Sequence, residues 1–373
     1  MNLKTWDATA TMLGVMIGAG VLGIPYVVAK AGLIPGLVNL GVLGICVLVL
    51  HLMTGEIVLR TNGNHQLAGY ARRYQGRMGG VYMTISLLVG IYGALVAYFI
   101  GIGEAMTALA GMNPLFWIVA AFVVLGAMLL QRLTLIEKSE RYLSAAKVIA
   151  VIIVSIIALM NAQFTTENFS RPMNWTLPFG VILFSLLGTA AIPEVREELK
   201  GNLKQLKHVL VYSGVITIGV YTLFAIAVVG ITGGATSEVA TVRLGQFLGQ
   251  GALTLLNLFA VLAMSSAFLA LGEALKKMFE EDYGWKPMAA WAATMTVPAI
   301  LVAIGTSSFI NVIGITGAIA GGIDGILIVM MYREARRSGD RKPEYDLKLN
   351  TAVQCIVGVV FIYAIFWAIT QMQ

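Results

Sequence analysis

Apolar blocks of about 20 residues, separated by short polar gaps rich in Lys and Arg, run along most of the chain. Each block has the length that an α-helix needs to cross about 30 Å of hydrocarbon. The pattern predicts eleven membrane spans, at about 6–31, 33–60, 78–110, 114–131, 138–160, 175–199, 208–231, 251–278, 287–304, 307–333 and 347–370. The polar stretch 61–77 is predicted to form an interfacial helix, and 232–250 the longest loop on the opposite side.

The composition supports this pattern. The 373 residues are 58 % hydrophobic and 12 % charged, with a mean hydropathy of +0.84. Because a soluble chain carries about 25 % charged residues, this one cannot cover a water-facing surface. A soluble enzyme, a nucleic-acid-binding domain and a secreted disulfide scaffold are therefore excluded. Cys46 and Cys355 lie in apolar spans and are expected to be buried small hydrophobic residues.

The positive charges predict the orientation in the membrane. With the N-terminus in the cytoplasm, 21 Lys and Arg residues fall on the inner side, 3 on the outer side, and Lys147 lies inside span 5. This asymmetry is the one that the positive-inside rule describes, and a wrong span count would mix the two sides. We expect a multi-pass protein of a prokaryotic cell membrane, with the N-terminus cytoplasmic and the C-terminus extracytoplasmic.

Span 1 contains Gly18, Gly20 and Gly23, followed by Pro25. The spacing matches a dinucleotide-binding GxGxxG motif, but that motif needs a preceding strand and an acidic residue about 20 positions further on. Here it lies in mid-membrane, so we reject this interpretation. Clustered glycines and a proline weaken a helix, which predicts a span that unwinds near mid-bilayer. A glycine-rich face for close helix packing is the alternative.

Span 6 has a matching interruption. Ser185, Gly188 and Thr189 lie about ten residues into the span, and Pro193 follows. Since the two spans are five apart, they cross the membrane in opposite directions, and such paired breaks predict an inverted-repeat transporter. The predicted parts of this single domain are a first repeat at about 6–160, a second at about 175–333 and an extra helix at about 347–370.

The chemistry of two broken helices points to a zwitterionic ligand. Free amides at the start of a half-helix attract a carboxylate, and free carbonyls at the end of one attract an ammonium or a cation. Backbone groups can be exposed at membrane depth only around a polar cavity. Together the two breaks suit an amino acid.

The chain also resembles a known family. The residues that carry the resemblance are Gly14–Tyr26, Glu56, Tyr92–Tyr98 and Phe184–Lys204. They are similar to the amino acid–polyamine–organocation superfamily, most closely its amino acid/auxin permease and aromatic amino acid permease branches. The resemblance implies an all-α membrane protein of eleven transmembrane helices. Its fold would be the five-plus-five inverted repeat of the bacterial leucine transporter, with helices 1 and 6 broken and one helix added.

The resemblance further implies a substrate site in the backbone of the two breaks, which holds the carboxylate and amino groups. The corresponding residues are Ile17, Gly18, Ala19, Gly20, Val21, Phe184, Ser185, Gly188 and Thr189. The family's span-3 tyrosine, which lines the site from outside, matches Tyr98. Thr189 departs from the pattern, because many relatives carry an aromatic or larger residue there.

Polar side chains at membrane depth are candidates for ion coupling. Lys147 lies nine residues into span 5, and snorkelling to the surface is its alternative. In proton-coupled or ion-independent relatives a span-5 lysine places its ammonium between spans 1 and 8, whereas sodium-coupled relatives have adjacent hydroxyls there, matching Ser265 and Ser266. Those hydroxyls could instead bond their own helix carbonyls. Asp324 in span 10 could pair with a cation, relay a proton or form a structural pair.

The predicted function is secondary active transport of a neutral, apolar or aromatic amino acid by alternating access. Protons are the expected coupling ion and Na⁺ is the alternative; no catalytic residue, metal or cofactor is expected. An amino acid sensor of the same fold stays open. A channel and a membrane enzyme are disfavoured, because the sequence shows neither a pore-lining ring of charges nor a catalytic cluster. The expected partners are the substrate and the lipid bilayer, not nucleic acid, and the oligomeric state is not predicted.

Overall fold

The computed structural model describes residues 3–131, 134–165, 168–169, 175–281, 283–305 and 308–371, and within them it is helical without strands. The helices are α1 (Leu3–Met16), α2 (Gly20–Ala31), α3 (Leu33–Arg60), α4 (Leu67–Ala110), α5 (Pro114–Leu130), α6 (Thr134–Met160), α7 (Phe179–Leu186), α8 (Ile192–Glu198), α9 (Leu206–Thr232), α10 (Ala240–Leu248), α11 (Gln250–Glu281), α12 (Pro287–Ala303), α13 (Phe309–Ser338) and α14 (Thr351–Gln371).

Every predicted span has a helical counterpart. Among the described residues, seven helical segments are long and apolar enough to cross a membrane, and the bent pair of α1 and α2 forms an eighth. The three remaining spans correspond to α5, α6 and α12, whose apolar parts are shorter. Since α5 and α12 have 17 residues each, they are at the lower limit of a span. The predicted all-α polytopic fold is confirmed.

The predicted loop at 232–250 is in part a helix. Helix α10 buries Ala240, Thr241 and Leu244 on one face, and the Ser237 hydroxyl accepts a hydrogen bond from the Arg243 amide at 3.0 Å. The loop prediction was wrong because this amphipathic segment is short and has glycines on both sides, which obscured the helical spacing of its apolar residues. The prediction that both cysteines are buried was also wrong for Cys355, which is exposed on α14, whereas Cys46 is buried.

Helix α4 contains the predicted helix of the 61–77 stretch. The helix begins at Leu67, and Gly76 interrupts its regular geometry with a φ of 71°. Only glycine adopts such a backbone conformation at low cost. The segment before Gly76 therefore turns away from the long span that follows it.

Arg196 fixes the second half of the interrupted span 6, which is α8. Its buried guanidinium donates to the Asn64 side chain at 2.9 Å and to the Thr61 carbonyl at 3.2 Å, in the turn between α3 and α4. Since hydrogen bonds from a charged donor are roughly twice as strong as neutral ones, α8 is held to this turn.

Candidate substrate site between two broken helices

Span 1 is broken as predicted. Helix α1 ends at Met16 and α2 begins at Gly20, with an angle of 54° between the two halves. The break comprises residues 17–19, so Gly20 and Gly23 already lie in α2. The first amides of α2 and the last carbonyls of α1 have no partner within their own helix, which leaves backbone polarity at membrane depth.

Span 6 is also broken as predicted. Helix α7 ends at Leu186, and Leu187 is extended with ψ near 132°. A short 3₁₀ turn at Thr189–Ala191 leads into α8, whose first turn contains Pro193. Proline fits this position because the first helical amide needs no acceptor within its helix.

The two breaks contact each other directly. A Cβ atom on Gly20 would lie 2.8 Å from the Cα atom of Ser185, which is closer than real Cβ atoms approach backbone. On the other side, a Cβ atom on Gly188 would lie 2.9 Å from the Cγ atom of Met16. Close packing against backbone therefore requires glycine at position 20, whereas a side chain at position 188 would have to displace the flexible Met16 side chain.

Tyr221 of α9 links the two breaks by hydrogen bonds to the backbone of both. Its fully buried hydroxyl lies 2.7 Å from the Met16 carbonyl and 3.1 Å from the Ser185 carbonyl, and shares its single proton between them. These carbonyls are at the C-terminal ends of α1 and α7. Tyr221 was not among the residues predicted from the sequence, although a tyrosine in the middle of apolar span 7 could have indicated it.

Replacing Tyr221 with phenylalanine is expected to lower stability by about 1–3 kcal/mol, because it leaves buried carbonyls without a donor. The amino acid uptake expected from the sequence should fall with it. Thermal unfolding of the purified variant measures the first effect, and uptake into liposomes the second. Tyr212→Phe is the matched control, since Tyr212 is 44 % exposed on the same helix. Equal losses in the two variants would contradict the structural role of Tyr221.

A cavity of about 140 Å³ lies where the breaks meet. Its wall contains nine of the predicted site residues, which are Gly18, Ala19, Gly20, Tyr98, Phe184, Ser185, Gly188, Thr189 and Asp324. Ile17 and Val21 are buried at the span-1 break but do not line this cavity. Helices α4 and α13 supply further wall residues that were not predicted from the sequence, namely Ser86, Leu87, Gly90, Ile91, Ala94, Thr316, Gly317 and Ala320.

Access to the cavity differs between its two ends. Toward the end where the chain begins, the lining residues Val15 and Ala190 are exposed. Toward the other end, α2 packs tightly on the start of α13, and a Cβ atom on Gly23 would lie 2.8 Å from Ile313 and 3.0 Å from Ile310. Lining residues are thus exposed toward one end of the bundle, whereas α2 and α13 are in close contact toward the other.

Lys147 lies on the face of α6 that packs against α1. It is 5 % exposed, so its ammonium does not snorkel to the surface. Ser144, one turn earlier on the same face, meets Gly14 of α1. Spans 1 and 5 run in the same direction, so one further turn places Lys147 level with the carbonyl end of α1 at Met16.

The serine pair of α11 does not line the cavity. The Ser266 hydroxyl donates to the Ala263 carbonyl of its own helix at 2.9 Å. This is the alternative arrangement weighed above, in which a hydroxyl bonds within its helix. The Ser266 hydroxyl proton is therefore already used within the helix. The oxygen lone pairs of both serines could still coordinate a cation.

A helical bundle with two broken spans that meet at one cavity is the architecture of membrane transporters of the leucine-transporter fold. Solved structures that share this fold include two of one transporter. One is Mhp1, a nucleobase-cation-symport-1 family transporter, in a closed conformation with bromovinylhydantoin bound (TM-score 0.63, 13 % identity, 99 % of this chain and 91 % of that chain). The other is the inward facing conformation of Mhp1 (TM-score 0.69, 14 % identity, 99 % and 90 %).

The chain belongs to the tryptophan/tyrosine permease family, whose model matches residues 1–371. Its relatives include "Glutamine transporter 2" of Aliivibrio fischeri, 21 % identical over all of both chains, and "Tyrosine-specific transport system 1" of Haemophilus influenzae. The latter is 24 % identical over 96 % of this chain and 95 % of its own. The predicted amino acid permease is confirmed, and the protein is a multi-pass membrane transporter rather than an enzyme. The wider superfamily placement stays a prediction.

Proposed function

We propose that the protein is a secondary active transporter of a neutral aromatic amino acid, driven by protons and independent of Na⁺. The observation that carries the proposal is the contact of the two breaks, Gly20 on Ser185, at one cavity. A substrate there meets the first amides of α2 and the last carbonyls of α1 and α7, which have no partner within their own helices. These groups suit a carboxylate and an ammonium, respectively.

The substrate's side chain extends into the rest of the cavity. The wall there is formed largely by apolar and small residues of α4, α7 and α13, which favours a flat ring. The names of the family and of its relatives specify tryptophan, tyrosine and glutamine. These amino acids are neutral, and each has an N–H or O–H donor at the end of its side chain. Tyrosine and tryptophan fit the proposed class best.

Competition between labelled and unlabelled amino acids measures the preference for aromatic substrates. Uptake of labelled tyrosine or tryptophan into liposomes containing the purified protein should be inhibited by unlabelled aromatic amino acids and only weakly by lysine or glutamate. Both charged side chains would lose solvation in the apolar cavity, which is costly without a dedicated partner. Strong inhibition by glutamate, or no uptake of any aromatic amino acid, would contradict the proposed substrate class.

We assign proton coupling to Lys147. When protonated, its ammonium can donate to the last carbonyls of α1, including the second lone pair of the Met16 oxygen that already accepts from Tyr221, and loss of the proton would free α1 to move. Transport would then proceed by rocking of the broken helices about the cavity. Sodium coupling through Ser265 and Ser266 is the alternative, but a positive charge beside that site should repel Na⁺ by several kcal/mol at low effective dielectric.

A further inference from the structure

One carboxylate oxygen in the cavity wall has no hydrogen-bond partner in the part of the chain that the structure describes. Asp324 of α13 is 6 % exposed, and its Oδ2 atom accepts from the Thr189 hydroxyl at 3.5 Å. Among the described residues, its Oδ1 atom is buried and unpaired. Leaving such an atom unsatisfied is costly, so a buried unpaired polar atom beside a cavity indicates a place for a ligand's donor.

The position of Asp324 on α13 directs it into the cavity. Thr316, Gly317, Ala320 and Asp324 follow one another at helical spacing and all line it. Gly317 lies at the level of α7, because a Cβ atom there would be 2.7 Å from the Phe184 amide nitrogen. Asp324 lies seven residues after Gly317, which corresponds to about 10 Å along α13. At that position it is beside the 3₁₀ turn that contains Thr189.

We propose that Asp324 and Thr189 form the subsite that recognises the hydrogen-bond donor of the substrate's side chain. This inference rests on the proposed function, in which the breaks hold the amino and carboxylate groups. An aromatic side chain that starts at the level of Gly20 and Ser185 extends toward Asp324. A phenol O–H or an indole N–H then reaches Oδ1, with a hydrogen bond of about 2.8 Å.

The chemistry of the subsite sets its selectivity. An ionised carboxylate only accepts hydrogen bonds, so it favours a side chain that donates one. Phenylalanine would leave Oδ1 unpaired, and sites built around a polar substrate group discriminate strongly against analogues that lack it. A carboxylate side chain would be repelled. Glutamine's amide is a donor as well, but it fills less of the apolar wall than a ring does.

Binding of tyrosine and phenylalanine to the purified protein tests the subsite. The native protein should bind tyrosine about 10- to 100-fold more tightly than phenylalanine, since hydrogen bonds to a charged group contribute about 1.5–3 kcal/mol. O-methyltyrosine, which lacks the donor, should bind as weakly as phenylalanine or more weakly.

Asp324→Leu should abolish the preference for tyrosine while keeping phenylalanine binding within about three-fold, as expected when only a side-chain contact is removed. Asp324→Asn, which keeps an acceptor oxygen, should retain part of the preference.

Asn257→Leu is the control for replacing a buried polar residue. Asn257 is fully buried on α11 outside the cavity, so its variant should keep the native ratio of tyrosine to phenylalanine affinity. Equal weakening of both ligands by Asp324→Leu would place the substrate's ammonium at Asp324 and overturn the inference, as would tight lysine binding. If Asp324→Leu does not fold, equal native affinity for tyrosine and phenylalanine still refutes it. Native protein that binds no amino acid refutes the proposed function instead.

Discussion

Replacing Gly20 with leucine is expected to reduce amino acid uptake to the background of empty liposomes. The substitution places a branched side chain where a Cβ atom alone would already lie 2.8 Å from the backbone of Ser185. The two breaks would be forced apart, and the backbone groups proposed to bind the substrate would be displaced or covered. Gly20→Ala should be impaired as well, because the clash involves backbone that cannot rotate away.

The matched control is Gly219→Ala on α9. A Cβ atom at Gly219 has open space around it, so this variant should transport within about two-fold of the native rate, in line with the small effect of substitutions that disturb no packing. The comparison separates a local steric effect from a general loss of helix flexibility. Native-level binding by Gly20→Leu would move the substrate site away from the breaks.

Replacing Lys147 with alanine is expected to remove the response of transport to a pH gradient. For one proton carried with each substrate, a gradient of one pH unit can sustain up to about tenfold accumulation in the native protein. Without the ammonium, the variant should only equilibrate its substrate across the membrane. The measurement compares accumulation in liposomes with and without an inward proton gradient, each in the presence and absence of Na⁺.

Lys276→Ala controls for the loss of any buried lysine. Lys276 is 2 % exposed in α11, but Glu273 pairs with it at 2.7 Å and the Leu129 carbonyl accepts from it at 2.9 Å. We expect its removal to lower stability and to leave the pH response intact. Undiminished pH-driven accumulation in Lys147→Ala, or strict Na⁺ dependence of the native protein, would overturn the assignment of the coupling residue.

Much of the fold follows from local sequence patterns. The spans could be predicted because each is a long apolar run, and the breaks because Gly18 and Gly20, like Gly188 and Pro193, weaken the helix locally. Helix α10 was missed, since a nine-residue amphipathic segment between glycines carries a weak periodic pattern.

The candidate site could be predicted only in part, because its walls come together through tertiary packing. The bridge from Tyr221 to Met16 and Ser185 joins three helices that are distant in sequence. Asp324 was recognisable as a charge inside the membrane, but its position beside Thr189 depends on how α13 packs against α7. No local pattern encodes such contacts between helices.

The proposed activity is movement of an aromatic amino acid across the membrane by alternating access. The most direct test is uptake of labelled tyrosine or tryptophan by the native protein in liposomes under an imposed inward proton gradient without Na⁺. We expect accumulation above the external concentration, and we expect it to collapse when a protonophore dissipates the gradient. Binding without accumulation would contradict it and would instead identify an amino acid sensor.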